Sequence, residues 1–346
     1  MITLPQRRNR QLASEWTSYA LSMWLGERVT KPIHSPDYQF LSKLGATSVV
    51  SWVLEKEGIT EEQLFNVVCF HNSVTNSQHL QAWNSLQKDL NDHGIVCVPL
   101  KGIYMLSTAY SAMQSIRTLA DIDALVSPEQ LAESLDVLKE IGYEISDRAF
   151  LDAKNHAASE VGVIFKDGNS IVSIDLHRYP HNYPLFEEVS DYVLSTIDET
   201  NQHPSKIGAV IWLLTHKSKN GIVGDFKELY DYSVMTAEFD SNDWTELYNL
   251  VGKFGLKNSF HVLMLQEQFW FKCEHIKQKH CLIHKLGFIS HTRLRLLKIV
   301  ISNLPNNSIL QTIPFFRSYY GPLVSIHSFK NAILSLFNML AHRLRR

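Results

Sequence analysis

The hydrophobic positions of the N-terminal part of the chain recur at helical spacing and predict three helical stretches. Candidate caps and closing glycines delimit them: Ser14 precedes the first, and Thr60 and Gly94 bound the last. The predicted stretches cover 14–27, 36–58 and 60–94.

After Gly94 the pattern changes to short β-like runs that alternate with helical ones. The order is strand, helix, strand, helix and hairpin, with Asp167-Gly168 in the hairpin turn and Pro128 opening the second helix. This order predicts a mixed sheet with helices packed against it, an α+β fold. The predicted elements are 95–100, 101–110, 121–126, 128–142 and 161–178.

From Pro184 onward the pattern is helical again, so we expect three parts: an N-terminal helical region over 1–92, a core over 93–180 and a C-terminal helical region over 181–346. The last stretch, 329–344, has one apolar stripe and ends in arginines. We expect it to dock on the helical region; peripheral contact with an anionic membrane surface is the alternative.

Composition narrows the class of protein. A hydrophobic fraction of 45% with 20% charged residues is typical of a globular protein, and a net charge of −2 argues against a long nucleic-acid partner. Four widely spaced cysteines, no apolar leader and no run long enough to span a bilayer lead us to expect a cytoplasmic protein.

Two aspartates stand one residue apart in the strand-like run "DIDALV". Because strand side chains alternate, Asp121 and Asp123 share a face, with Cα atoms about 6–7 Å apart. The later run "SIDLH" repeats the arrangement with Asp175 and His177. If the two strands are neighbours, three carboxylates meet, and an all-oxygen ligand set suits a hard divalent ion, Mg²⁺ first, with Mn²⁺ as the alternative.

Each of these runs alone is commonly a solvated strand edge or turn. Their occurrence together, with Lys101-Gly102 at a strand-to-helix junction and Arg117 four residues before the first aspartate, favours a functional site.

Taken in order, "VPLKGIYML", "AY", "R", "DIDALV" and "VSIDLHR" resemble the polymerase-β-like nucleotidyltransferase superfamily. Within it the chain is most similar to the uncharacterised nucleotidyltransferase family, over about residues 70 to 235. The D-I-D block with Lys101-Gly102 is the most specific part of the resemblance.

The resemblance implies transfer of a nucleoside monophosphate from a triphosphate, ATP by preference, with two Mg²⁺ ions and release of pyrophosphate. The catalytic and metal-binding residues would be Asp121, Asp123 and Asp175, the last also a candidate base. The nucleotide-binding residues would be Lys101, Gly102, Arg117, His177, His216 and Lys217, with Asp231 further along the helical region. Ile103 departs from the superfamily, which commonly has serine or glycine there.

The resemblance also suggests a bacterial enzyme, but the acceptor is not encoded in any motif. A small molecule, a peptide and a glycan all fit the same core. A catalytically inactive scaffold on the same fold and a metal-dependent phosphohydrolase remain open as alternatives.

Two further features have simpler interpretations. The stretch 273–284 contains two cysteines and three histidines, but their spacing matches no standard zinc pairing, so we expect ordinary surface histidines. His156 lies between the two motif strands, and we expect a packed or solvated side chain rather than a substrate contact.

Overall fold

The structure is a computed structural model that describes residues 4–59, 63–155, 158–180, 186–198, 200–220 and 226–285. Within these residues it contains thirteen α-helices and one five-stranded mixed sheet, which confirms the α+β class. Four features of the sequence analysis lie outside the described residues: Thr60, His156, Pro184 and the terminal stretch 329–344.

The helices occur along the whole described chain, and the strands lie between α4 and α8. One 3₁₀ turn is present at Gln114–Ile116. Their bounds are α1 Leu4–Trp24, α2 Tyr38–Leu44, α3 Thr47–Lys56, α4 Gln63–Asn91, α5 Lys101–Ser107, α6 Leu131–Glu140, α7 Asp147–Lys154, α8 Glu187–Ser195, α9 Lys206–Asn220, α10 Phe226–Met235, α11 Ser241–Lys253, α12 Lys257–Trp270 and α13 Glu274–Lys285.

The sheet has the spatial order β1-β2-β5-β4-β3. Only the central pair, β2 with β5, is parallel; the other neighbours are antiparallel. Helix α5 packs against β2, and α7 packs against β4. The strand bounds are β1 Cys97–Pro99, β2 Ile122–Val126, β3 Glu144–Ile145, β4 Glu160–Asp167 and β5 Ser170–His177.

The predicted hairpin forms from β4 and β5, and its turn fixes the register of both strands. Asp167 pairs with Ser170, so Gly168 and Asn169 are the two central turn residues. Gly168 has φ +57°, the left-handed region that glycine adopts at little cost. Counting back from this turn places Glu160 opposite His177.

Three predicted helix boundaries are wrong. Ser14, predicted to cap the first helix, lies inside α1, and its hydroxyl donates to the backbone oxygen of Trp270. The other two are wrong for local reasons. The stretch 36–58 forms two helices, because Gly45 adopts φ +77° and donates its backbone N–H to Ser42, which ends α2. Pro128 opens a turn closed by Gln130 N–H to Ser127 O, and α6 begins only at Leu131.

The described chain divides into two compact units. One comprises 4–59, 63–70, 217–220 and 226–285, and the other comprises the described residues between 71 and 216, including the whole sheet. In the first unit α12 packs against α1, α10, α11 and α13, so it is the central helix.

No helix in the described part of the chain combines the length and the hydrophobicity that crossing a membrane requires.

Candidate active site

The two motif strands are neighbours, and their register places Asp123 opposite Asp175. Two residues along, Leu125 is opposite His177, so the two aspartates and the histidine lie on the same face of the sheet. One ligand atom each of Asp123, Asp175 and His177 lies within 4.8 Å of the other two. The strands β2 and β5 are therefore neighbours, as the prediction of a shared carboxylate site required.

Asp123 is 7% exposed and its charge is compensated by two neighbours. Lys101 Nζ donates to Asp123 Oδ1 at 2.6 Å, and His177 Nε2 lies 3.0 Å from the same oxygen. Burial alone would raise the pKa of Asp123, but these two groups outweigh burial and hold the pKa well below its usual range. Asp123 is thus a carboxylate kept ionised inside the fold.

Asp175 has the opposite character. It is half-buried, and burial raises its pKa. His177 acts to lower that pKa, whereas the charges of Asp123, Glu160 and Asp121 raise it. The site therefore combines one firmly ionised carboxylate with one of raised proton affinity.

Asp121 lies in a bend just before β2 and is half-buried. Its charge contributes to the raised pKa of Asp175, so it belongs to the same electrostatic environment. It is not one of the three residues whose ligand atoms lie within 4.8 Å of one another. Of the three predicted aspartates, Asp123 and Asp175 therefore form a close pair, and Asp121 contributes charge to the same site.

His177 is 3% exposed and is held from three sides. Its Nε2 faces Asp123, and its Nδ1 lies 3.3 Å from Glu160 Oε2 without hydrogen-bond alignment. The Trp212 ring meets the imidazole edge to face, with 5.7 Å between ring centroids. Sequence reasoning missed Glu160, although counting back along the hairpin from Gly168-Asn169 places it opposite His177.

Lys101 is the first residue of α5 and has φ +47°. A lysine pays a conformational cost in this left-handed region, of about 1 kcal/mol or more. The contact with Asp123 helps to stabilise the strained residue. The junction between β1 and α5 is therefore shaped to bring the ammonium group to the carboxylate.

Gly102 provides room for Arg117. A Cβ built on Gly102 would lie 2.3 Å from Arg117 Nη1 and 2.2 Å from Leu119 Cδ2, so no other residue fits without a rearrangement. Arg117 is buried, and its guanidinium packs on the backbone at the start of α5. The predicted pair Gly102 and Arg117 is brought together; phosphate binding by either residue stays a prediction.

The loop that presents Arg117 is fixed by two buried asparagines of α4. Asn76 Nδ2 donates to Gln114 O at 2.5 Å and to Arg117 O at 2.6 Å. Asn72 donates to Ser115 O at 3.0 Å. Amide side chains can replace the regular backbone partners that an irregular loop lacks, which holds such a loop in one conformation.

The downstream residues fall in different units. His216 is half-buried on α9 and belongs to the unit that contains the sheet. Lys217 and Asp231 are buried and belong to the other unit. Their predicted roles in nucleotide binding stay predictions.

The Cys/His-rich stretch forms α13 and the residue before it. Among the described residues, no group of its cysteines and histidines has the arrangement of a metal site. The expectation of surface histidines is wrong for His280, which is buried and lies 3.1 Å from Glu267 Oε2. Lys279 Nζ donates to the other oxygen of Glu267 at 2.6 Å, so the helix is fixed by a buried ionic network.

The fold and the site together are a mixed sheet that carries carboxylates on adjacent strands, beside a lysine-glycine strand-to-helix junction. The model of the family described as "Uncharacterised nucleotidyltransferase" matches residues 58–272, more than half of the sequence. The chain therefore belongs to this family. A search of curated proteins and a search of solved structures each found no significant match.

Proposed function

We propose that the protein transfers a nucleoside monophosphate from a nucleoside triphosphate, with ATP as the first candidate, to a hydroxyl or phosphate group of an acceptor. The observation that carries this proposal is the pairing of Asp123 with Asp175 on adjacent strands, with Lys101 beside them. Membership of the family supports the same class of reaction.

The residues present fit a divalent cation. Opposite ligands of a hard cation lie roughly 4 Å apart, twice the bond length, and three ligand atoms here lie within 4.8 Å of one another. Asp123 and Asp175 would hold the cation, for which the sequence predicts Mg²⁺, with Mn²⁺ as the alternative. When bound, it would supply positive charge to the phosphoryl oxygens and the leaving group.

The chain's own groups then have distinct tasks. Asp175 would accept the proton of the acceptor hydroxyl as the new O–P bond forms at the α-phosphorus. The bond from that phosphorus to the bridging oxygen breaks, and pyrophosphate leaves with the bonding electron pair. Lys101 and Arg117 carry positive charge to the triphosphate side of the site.

The test is incubation of the purified full chain with α-labelled and γ-labelled ATP, a divalent cation and an extract of candidate acceptors. We expect label from the α-position in an acceptor and release of pyrophosphate. The variants Asp123→Asn and Asp175→Asn should lower this transfer by about a hundredfold to a thousandfold, because each removes charge placed for the transition state. Asp136→Asn is the matched control, since Asp136 forms an exposed ion pair with Lys154.

Two outcomes would contradict the proposal. Release of inorganic phosphate without label transfer would identify a phosphohydrolase. Absence of both nucleotide binding and transfer would favour a non-catalytic scaffold.

A further inference from the structure

His177 stands in the position of a third ligand. It is 3% exposed, and its Nε2 atom is directed at Asp123 Oδ1, 3.0 Å away. One of its ring nitrogens belongs to the set of ligand atoms within 4.8 Å of one another, together with oxygens of Asp123 and Asp175. The imidazole therefore points into the space that a cation shared by the two carboxylates would occupy.

The surroundings of His177 fix the ring. Trp212 packs edge to face against it from one side, and Glu160 Oε2 lies 3.3 Å from Nδ1 on the other. With a cation bound to Nε2 in place of the proton that now faces Asp123, the neutral ring would carry its proton on Nδ1, on the side where Glu160 Oε2 lies. Histidines that bind metals are typically oriented in this way.

We infer that the cation of this site is held by Asp123, Asp175 and the Nε2 atom of His177, and that the site prefers Mn²⁺ to Mg²⁺. This inference rests on the proposed function, since it assigns the ligands of the same site. Mg²⁺ is bound in proteins by oxygen ligands, whereas an imidazole nitrogen favours first-row transition metals, and among these Mn²⁺ is the one that also suits carboxylates.

The alternative ligand set replaces His177 with Asp121, as the sequence alone predicts. The two sets differ in one measurable property, a nitrogen atom bound to the metal. Asp121 precedes β2 in a bend, whereas His177 is locked within β5 by backbone pairing with β2 and β4. The geometry therefore favours His177, which the sheet holds in place, as the third ligand, and Asp121 as a neighbouring charge.

Glu160 would act as a positioning residue. Its side chain is 39% exposed, so its influence on His177 is screened by water and should be moderate. The orienting partners of metal-bound histidines typically change metal affinity by about 10–100-fold, and for this exposed group we expect the lower end.

The experiment is Mn²⁺ titration of the purified full chain followed by pulsed electron paramagnetic resonance, which detects nitrogen bound to Mn²⁺ without requiring turnover. In the wild type we expect a ¹⁴N coupling, and Mg²⁺ should displace Mn²⁺ only at an excess on the order of tenfold or more. His177→Gln should abolish the coupling and weaken binding by on the order of tenfold or more. Glu160→Gln should weaken binding less and keep the coupling.

Two variants serve as references. Asp121→Asn should keep the ¹⁴N coupling, and it tests the ligand set even if His177→Gln fails to fold. His93→Gln changes an exposed histidine whose Nδ1 lies 2.8 Å from the backbone oxygen of Asp89, and it should behave as the wild type.

Different failures have different meanings. Mn²⁺ binding without any ¹⁴N coupling, abolished by Asp123→Asn, would overturn the inference and leave the proposed function intact. No Mn²⁺ binding to the wild type, with or without ATP, would overturn both.

Discussion

Lys101 Nζ lies 2.6 Å from Asp123 Oδ1, the same oxygen that His177 Nε2 approaches to 3.0 Å. A cation bound to Asp123 through this oxygen would compete with the ammonium group for it. Lys101 therefore occupies the place that such a cation would need, and once displaced its ammonium group would meet a triphosphate.

The first prediction concerns this competition. Lys101→Met should tighten Mn²⁺ binding about tenfold in the absence of nucleotide, because a hydrogen bond to a charged group is worth about 1.5–3 kcal/mol. The same variant should weaken ATP binding. Titrations monitored by the signal of free Mn²⁺ would measure the first effect, with Lys166→Met as control, since Lys166 pairs with Glu144 on the surface. Unchanged or weaker Mn²⁺ affinity in Lys101→Met would show that Mn²⁺ and the Lys101 ammonium group do not compete for Asp123.

The second prediction concerns the contact between Gly102 and Arg117. In a helix, Gly→Ala usually stabilises by about 1 kcal/mol. Here the added methyl would lie 2.2 Å from Leu119 Cδ2 and 2.3 Å from Arg117 Nη1, so we expect Gly102→Ala to lower the free energy of unfolding by about 1–3 kcal/mol. Urea denaturation would measure it.

The control for this prediction is Gly252→Ala in α11. Its nearest contact would be Lys257 Cε at 3.2 Å, the flexible part of a side chain that can move aside. We expect no loss of stability or a small gain. Equal effects of the two substitutions would contradict the steric argument.

The third prediction concerns the open face above Asp175. Gly162 is exposed, pairs with Asp175 across β4 and β5, and its added Cβ would lie 3.8 Å from Asp175 Oδ1. Gly162→Val should therefore crowd the site and lower Mn²⁺ affinity by on the order of tenfold, while strand propensity should raise stability by up to about 1 kcal/mol. The control is Lys166→Val, on the same strand face but opposite Ile171. If Gly162→Val binds Mn²⁺ as tightly as the wild type whenever it is folded, this interpretation is contradicted.

The fourth prediction concerns acid stability of the helical unit. Burial would raise the pKa of Glu267, but Lys279 and His280 lower it to about 2. Because the pKa of the folded state lies below that of the unfolded state, the resulting stability is present above about pH 4.5 and is lost as the pH falls toward 2. The midpoint of thermal unfolding should therefore fall steeply over this range.

The variant for this prediction is Glu267→Gln. It leaves Lys279 buried beside a neutral side chain, so we expect a loss of about 3–5 kcal/mol at neutral pH and a shallower slope below pH 5. Glu274→Gln, in an exposed pair with Lys277, should change stability by less than about 1 kcal/mol. An unchanged acid slope in Glu267→Gln would contradict the assignment.

The central pair of carboxylates could be predicted because strand alternation is a local property. It places Asp123 and Ile122 on opposite faces whatever the rest of the chain does. That β2 and β5 are neighbours was a hypothesis in the sequence, and the register confirms it. The local sequence pattern therefore predicts which side chains share a face of a strand, whereas the tertiary structure determines which strands are neighbours.

Other parts of the site depend on information that periodicity does not carry. The partnership of Glu160 with His177 depends on which two residues occupy the centre of the hairpin turn. With Asp167-Gly168 there instead of Gly168-Asn169, Glu160 would face Asp175. The asparagines that hold the Arg117 loop lie on a long helix, where Asn72 and Asn76 have no local signature.

The hairpin has a consequence for how the site is assembled during folding. Glu160, Gly162, Asp175 and His177 belong to one contiguous hairpin, a structure that forms in about 1–10 μs. Asp123 is 54 residues away from His177 along the chain and joins them only through parallel pairing, the slower kind of contact. Half of the site can thus exist before the other half arrives. If the proposed ligands bind Mn²⁺, the moment at which binding first occurs during refolding would time the closure of the sheet.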